Sequence, residues 1–319
     1  MPSYSGIWTL SQQFQAVGQG LWPPNFVPSE TFAIFALGCA SGSRSTTRDK
    51  YTYSGCVVSA GGAATAASRQ GSAAGNSTVG IFALGSAASG RVTTRDKYTY
   101  SGCVVSAGGA ATTASLGGSA SGNSTIGIFA LGSTCCGVVT TRNKYTYTGC
   151  AVSAGGAATA ASQQGSAAGN STVGIFALGL GSGCVSVTTR NKYTYSGCVV
   201  SAGSAANFIS YLGSAAGNST VGIFALGIIS GSRSTFREKY TYSGDVVASA
   251  TGATTASSQG AAAGNSTIGI FALGVSNTGR VTTRNTYTYS SDVVATGGAA
   301  TTASGCGSAA SNGTSGVNM

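Results

Sequence analysis

The most regularly spaced side chains that could do chemistry are basic ones in the motif TTR-x-K and its variants. Five of the six arginines are followed two residues later by lysine, and the sixth by Thr286, which on a strand puts both side chains on one face. One interpretation is a cationic belt for anionic glycans or lipopolysaccharide phosphates. We favour contacts between structural units, by stacking on tyrosine or bonding to a carbonyl, because a ligand site rarely needs six equal copies. The six arginines are Arg48, Arg95, Arg142, Arg190, Arg237 and Arg284.

Side chains suited to catalysis are scarce. The chain has no histidine, which removes the usual general base near neutral pH and the commonest metal ligand. Most acids in the repeats stand where other repeats carry Asn or Cys, and no unique carboxylate pair of the kind a glycosidase needs is evident. The sequence therefore predicts a protein that is not an enzyme, with no catalytic residue, metal site or cofactor. The six acids are Glu30, Asp49, Asp96, Glu238, Asp245 and Asp292.

Eight of the nine cysteines fall into two sets. We expect Cys56, Cys103, Cys150 and Cys198 to open a VV-like strand, whereas Cys39, Cys135, Cys136 and Cys184 lie in the loop after IFALG-type segments. A strand of about 26 Å separates the sets within a repeat, too far for a disulfide. Neither set has the spacing of a zinc site. We expect mostly free thiols that act as small apolar side chains, with contact to a neighbouring subunit through loop cysteines as an alternative.

These side chains belong to an internal repeat. The string IFALG recurs at Ile34, Ile81, Ile128, Ile175, Ile223 and Ile270, and YTY follows each copy. The period is about 47 residues, and each unit mixes β-branched and aromatic runs with a small-residue segment such as GSAAGNST. These runs, bounded by Gly, Asn and Ser, predict four strands per unit.

Four antiparallel strands in about 47 residues are typical of a propeller blade. We predict an all-β, six-bladed β-propeller over residues 31–319. The first unit lacks its small-residue strand, and residues 308–314 match that missing segment. We therefore expect this C-terminal strand to close the first blade by pairing beside residues 34–38, which removes exposed edges. A β-solenoid is the alternative architecture.

The order of the pieces resembles the Kelch family of propellers. In that family a small-residue inner strand, a turn, an apolar strand ending in Gly and a tyrosine-bearing third strand follow one another. The resemblance covers residues 31–319 and implies the same inner-to-outer order. Here the Gly61-Gly62 pair lies after the fourth strand rather than after the second.

Residues 1–30 differ from the repeats and contain both tryptophans. Apolar spacing predicts a short helix over residues 11–17. The pattern G-x-W-x-L-x-x-Q-x-x-A-x-x-x-x-x-W-P in residues 6–23 resembles the opening of many tailed-bacteriophage structural proteins. That resemblance implies a virion component of the tail or tail fibre, made in the host cytoplasm, with other virion proteins and sister subunits as partners. We predict an anchor segment that docks through Trp8, Phe14 and Trp22, with a plug over the ring as the alternative.

The loops after IFALG diverge while the strands around them hardly change, which is typical of recognition loops on a rigid frame. One further segment carries bulky residues where other repeats have small ones, and Phe208, Ile209 and Tyr211 there suit a sugar or a protein partner, with packing against a neighbour as the alternative. Two functions follow: a phage structural protein that presents the propeller for assembly or host attachment, or a glycan-binding lectin of a bacterium. The charge of +10 is spread over the repeats, so we expect no nucleic-acid partner. No apolar stretch long enough for membrane insertion occurs.

Overall fold

The computed structural model describes residues 31–40 and 42–313. The chain divides into two units, Met1–Glu30 and Thr31–Met319, and the described residues all belong to the second. The helix expected over residues 11–17, the pattern in residues 6–23 and the docking residues Trp8, Phe14 and Trp22 lie outside the described residues. So does Thr314.

The repeats form six four-stranded antiparallel sheets, numbered here 1 to 6 in the chain order of their IFALG strands. The first strands consist of small residues and are Ser308–Ser311, Ser72–Gly75, Ala120–Gly122, Ser166–Gly169, Ser214–Gly217 and Ala261–Gly264. The second strands are Phe32–Ala36, Val79–Ala83, Ile126–Ala130, Val173–Ala177, Val221–Ala225 and Ile268–Ala272. The third strands are Arg48–Thr52, Arg95–Thr99, Arg142–Thr146, Arg190–Thr194, Arg237–Thr241 and Arg284–Thr288. The fourth strands are Val57–Ala60, Val104–Ala107, Ala151–Ala154, Val199–Gly203, Val246–Ala250 and Val293–Thr296.

Short elements connect these strands. Two-residue strands mostly form hairpins between the second and third strands; they are Cys39–Ala40, Ser43–Arg44, Ser86–Ala87, Gly90–Arg91, Ser133–Thr134, Gly137–Val138, Ser162–Gln163, Leu180–Gly181, Ile228–Ile229, Ser232–Arg233, Ser257–Ser258, Val275–Ser276, Gly279–Arg280 and Ser304–Gly305. Single 3-10 turns are Ser54–Cys56, Ser101–Cys103, Thr148–Cys150, Ser182–Cys184 and Ser196–Cys198.

Local chemistry explains the turns that connect the strands within a sheet. Between the first and second strands of sheet 2, the Asn76 side-chain oxygen accepts hydrogen bonds from the backbone N–H groups of Thr78 and Val79, both at 2.9 Å. An Asn that satisfies the backbone in this way stabilises a tight connection. Between the third and fourth strands, Gly55 has φ 84°, a left-handed conformation that glycine adopts without steric cost. Cys56 is also left-handed, at φ 54°, so this set of cysteines lies in the turn rather than in the strand.

Sheet 1 joins the two ends of the described chain. Ser308–Ser311 pairs antiparallel with Phe32–Ala36, with Ala33 opposite Ser311 and Ala36 opposite Ser308. In the other five sheets a short Asn-containing loop connects the first and second strands, whereas in sheet 1 these strands come from opposite ends of the sequence. The predicted completion of the first unit by a C-terminal strand is therefore confirmed.

The six sheets contact one another in cyclic order. Each first strand contacts the first strands of the preceding and following sheets, and the strand of sheet 6 contacts that of sheet 1. A left-handed residue before each first strand donates its N–H to the carbonyl of the equivalent residue one unit earlier, at 2.6–2.9 Å. These bonds return to their starting point and are compatible with a β-propeller. The six residues are Gln70, Gly117, Gln164, Leu212, Gln259 and Cys306.

The core lies between neighbouring sheets. Phe82, Tyr98 and Tyr100 of sheet 2 pack with Phe32 and Ile34 of sheet 1, and all five are at most 6% exposed. The aromatic rings meet edge to face or tilted, with Phe82 and Tyr98 centroids 6.4 Å apart. The sequence has few other large side chains with which to build a core, so we expected the tyrosines of YTY and the Phe-Leu pair of IFALG to be buried between units, and this is confirmed.

Candidate functional site

The six arginines that begin the third strands lie between sheets. Each is at most 1% exposed and donates a hydrogen bond to a carboxylate or amide oxygen on the next sheet. Arg48 Nη2, for example, lies 2.8 Å from Asp96 Oδ2, and the guanidinium lies 4.6 Å from the Phe82 ring centroid. Burial at this depth keeps the six arginines from reaching an anionic ligand in solution. The partners in order are Asp96, Asn143, Asn191, Glu238, Asn285 and Asp49.

The arginines make contacts of the kind that the sequence suggested, to tyrosine rings and, for Arg95, to the Gly109 carbonyl oxygen at 3.4 Å, but their shortest contacts are to other side chains. We expected tyrosine stacking or a bond to a carbonyl, and the tyrosines do lie beside the guanidinium, as at 5.9 Å between Arg95 and the Tyr145 centroid. The shortest contacts are instead to the residue after the next arginine in the chain, which is Asp, Glu or Asn. The acidic positions that vary among repeats are thus the acceptors of the contacts between sheets.

Each acceptor also holds the loop that leads into its sheet. Asp96 accepts hydrogen bonds from the Thr65 backbone N–H at 3.0 Å and the Thr65 hydroxyl at 2.6 Å. Asn143 accepts from the Thr112 N–H at 3.1 Å and donates to the Thr112 hydroxyl oxygen at 2.8 Å. A hydroxyl can donate or accept, so amide and carboxylate make the same three contacts.

Burial acts on the electrostatics of these arginines. It lowers the pKa of Arg95, Arg142 and Arg237, whose partners are amides, to about 10. Burial also lowers the pKa of Arg48, although Asp96 opposes the shift. A buried cation without a carboxylate costs stability. The hydrogen bonds to the acceptor side chains offset part of that cost, and this is a structural role.

Among the described residues, two segments that differ from the repeat sequence come together in one exposed aromatic cluster. We call Phe208, Ile209 and Phe236 the aromatic cluster. The Phe208 and Phe236 rings stack with centroids 5.4 Å apart and planes inclined by 19°. The three side chains are 42%, 48% and 57% exposed, so stacking leaves a large part of each ring in contact with solvent.

The equivalent positions in the other five units carry only Ala or Thr. Phe208 corresponds to Ala66 and Phe236 to Thr94. The loop that bears Phe208 is anchored, because the Asn207 N–H donates to Glu238 Oε1 at 2.8 Å and Glu238 also binds Arg190. The aromatic cluster is therefore displayed from a fixed part of the frame. Sequence reasoning missed Phe236, although the change from TTR to TFR was visible.

Tyr211 is not part of this cluster. It is half-buried, and its backbone pairs with Ile228, whose N–H donates to the Tyr211 carbonyl at 2.9 Å. Of the three recognition residues predicted from the sequence, the structure thus brings Phe208 and Ile209 together at the surface and uses Tyr211 to hold a hairpin.

A small cavity lies where the first strands converge. Its volume is about 90 Å³, and its walls are the Gly-Ser-Ala triplets of the first strands, such as Gly71, Ser72 and Ala73. The small side chains allow six strands to approach one another. The cavity has room for a few water molecules.

Sulfur and acidic groups are dispersed. All nine cysteines are free thiols, and Cys135 and Cys136, whose sulfur atoms are 3.4 Å apart, lie exposed in one hairpin. Within residues 31–40 and 42–313, no group of three or more Cys, Asp or Glu side chains could hold a metal ion. No helix in the same part of the chain is long and apolar enough to cross a membrane.

Comparison with known proteins gives no relative from which a role could be transferred: no protein-family model matches the chain, and no curated protein matches it significantly.

Proposed function

We propose that residues 31–319 form a six-bladed β-propeller closed by its C-terminal strand. Three cyclic sets of contacts support the proposal: first strand to first strand, arginine to acceptor, and the backbone bonds that run from Gln70 round to Cys306. The last arginine, Arg284, reaches back to Asp49 of sheet 1 at 2.7 Å. An open β-solenoid would leave its first and last units without these contacts.

We further propose that this propeller is a non-enzymatic recognition scaffold in a phage tail or tail fibre. The observation that carries the recognition role is the aromatic cluster. Its side chains are apolar and exposed, whereas the other units carry Ala or Thr at the same positions. Exposed aromatic residues with a rigid backing are typical of binding surfaces. The phage setting rests on the pattern in residues 6–23.

The test uses phage particles that carry the Phe208→Ala/Phe236→Thr double variant. We expect these particles to assemble with the normal amount of the chain and to adsorb to host cells at least about tenfold more slowly, the effect of losing one hot-spot contact. Val246→Thr in the same sheet is the matched control, since Val246 is 55% exposed but lies on the outer strand. Normal adsorption of the double variant would refute the recognition role, and absence of the chain from purified particles would refute the virion role.

A bacterial lectin is the second candidate, and the same exposed rings favour it because aromatic faces pack against sugar rings. In that case the purified chain should bind a glycan in an array, and the double variant should not. Capsid, portal or tail genes beside the coding sequence would favour the phage function over the lectin.

A further inference from the structure

The seam of the ring, where the beginning and end of the described chain meet, carries a pair of cysteines. Cys39 follows the second strand of sheet 1, and Cys306 precedes the first strand of the same sheet. Cys39 lies opposite Gly305, the residue before Cys306, in an antiparallel pair, and the Cys306 thiol donates a hydrogen bond to Gln259 Oε1 at 3.0 Å. Sequence reasoning missed this pair because Cys306 belongs to neither of the two cysteine sets.

The pair occurs where the fold lacks a covalent connection. In sheets 2 to 6 the chain itself joins the first strand to the second. In sheet 1 the same two strands are held only by non-covalent contacts, such as the hydrogen bonds between Phe32–Ala36 and Ser308–Ser311. At the positions equivalent to Cys39 and Cys306, sheet 2 has Ser86 and Gln70, and none of the other five units has a cysteine at either position.

We propose that Cys39 and Cys306 form a disulfide that closes the ring covalently. The backbone is already close, because a β-carbon on Gly38 would lie 2.4 Å from the Cys306 carbonyl oxygen. The two cysteines are one residue out of register on paired chain segments, and Cys306 lies just after the strand with a left-handed backbone, so we expect a disulfide to span them after a small local adjustment. The bond requires no large movement of either strand.

The oxidant is a low-molecular-weight disulfide. The Cys306 thiolate, the less buried of the two, attacks one sulfur of the oxidant and releases one thiol. The Cys39 thiolate then attacks the Cys306 sulfur of the mixed disulfide and releases the second thiol. Two protein thiols and one small disulfide thus become one protein disulfide and two small thiols.

The surroundings set the pace of this reaction. Burial raises the pKa of the Cys306 thiol to about 11, which keeps its thiolate scarce near neutral pH. Arg69 Nη1 lies 4.0 Å from Cys39 Sγ and places a positive charge beside the second thiol. We therefore expect slow oxidation that accelerates with pH.

The test treats the full chain with oxidised glutathione in mild alkali, blocks remaining thiols with iodoacetamide and digests it with trypsin without reduction. Residues 1–44 and 285–319 are tryptic peptides with one cysteine each, Cys39 and Cys306. Mass spectrometry should find them joined, and the oxidised chain should melt at least about 5 °C above the reduced chain, because the bond closes a very long loop.

Variants separate this bond from other thiol chemistry. Cys306→Ser should abolish both the joined peptide and the melting shift. The Cys135→Ser/Cys136→Ser double variant, which removes the other pair of neighbouring thiols, should retain both. Recovery of the two peptides only as alkylated or glutathionylated species, or joining of Cys39 to several cysteines in similar yield, would overturn the proposal.

Discussion

The contact between Arg48 and Asp96 gives a sharp test of how neighbouring sheets are held together. Asp96→Ala removes the acceptor of three hydrogen bonds, from Arg48 and from the N–H and hydroxyl of Thr65, and leaves a guanidinium buried without its partner. Breaking a buried pair from one side costs about 3–5 kcal/mol. We expect the free energy of unfolding, measured in urea by circular dichroism, to fall by about that amount.

The repeat supplies its own matched controls for this change. Asp96→Asn recreates the arrangement seen at Asn143, with all three contacts retained and the Thr65 hydroxyl reversed. It should cost only about 1 kcal/mol, the difference between a charge-assisted and an ordinary hydrogen bond. The converse change, Asn143→Asp, gives Arg95 a carboxylate and should stabilise the fold by a similar amount.

The relative changes in the free energy of unfolding of these variants distinguish the hydrogen bonds from the net charge. If Asp96→Asn is as costly as Asp96→Ala, the net charge matters and the hydrogen-bond pattern does not. If Asp96→Ala lowers the free energy of unfolding by less than about 1 kcal/mol, the contact of Arg48 with Asp96 contributes little to stability and does not hold neighbouring sheets together.

Three further predictions follow from the core, the tyrosines and the segment before the sheets. Phe82→Ala should lower the free energy of unfolding by about 3 kcal/mol or more, whereas Val104→Ala, at a side chain 56% exposed, should change it by less than about 0.5 kcal/mol; equal effects would mean that the packing is misread. Burial raises the pKa of eleven tyrosines, that of Tyr240 to about 12. Because the folded state favours the neutral form of these tyrosines, their contribution to stability is complete below pH 10 and is lost as the pH rises through their pKa values in the folded state. The three arginines with a pKa of about 10 have the opposite effect on stability but are fewer. The urea midpoint should therefore fall from pH 10 upwards, with tyrosinate absorbance appearing together with unfolding, and early absorbance from the folded chain would contradict this. Deleting residues 1–30, with Trp8, Phe14 and Trp22, should leave folded sheets that no longer join the particle, and unfolding of the truncated chain would favour a plug instead.

The sequence by itself determined the strands and their order within each unit. Alternation of IFALG, YTY and small-residue segments is a local pattern, and the turns at Asn76 and Gly55 depend on residues adjacent in the chain. The sequence also predicted that Ser308–Ser311 completes sheet 1, because the first unit lacks a small-residue strand and the C-terminal end carries an additional one. These features need no knowledge of how one sheet faces the next.

Tertiary structure decided which side chains meet across neighbouring sheets. Arg48 reaches Asp96 only because packing sets how far one sheet is offset from the next, and Phe208 stacks on Phe236 only because the loop that leads into sheet 5 folds against that sheet; no local propensity encodes either arrangement. The pairing of Cys39 with Gly305, beside Cys306, likewise depends on bringing distant parts of the chain together at the seam. Repetition of the arginines left a surface belt and contacts between units as two interpretations, of which we favoured the second, and the structure buries all six between sheets.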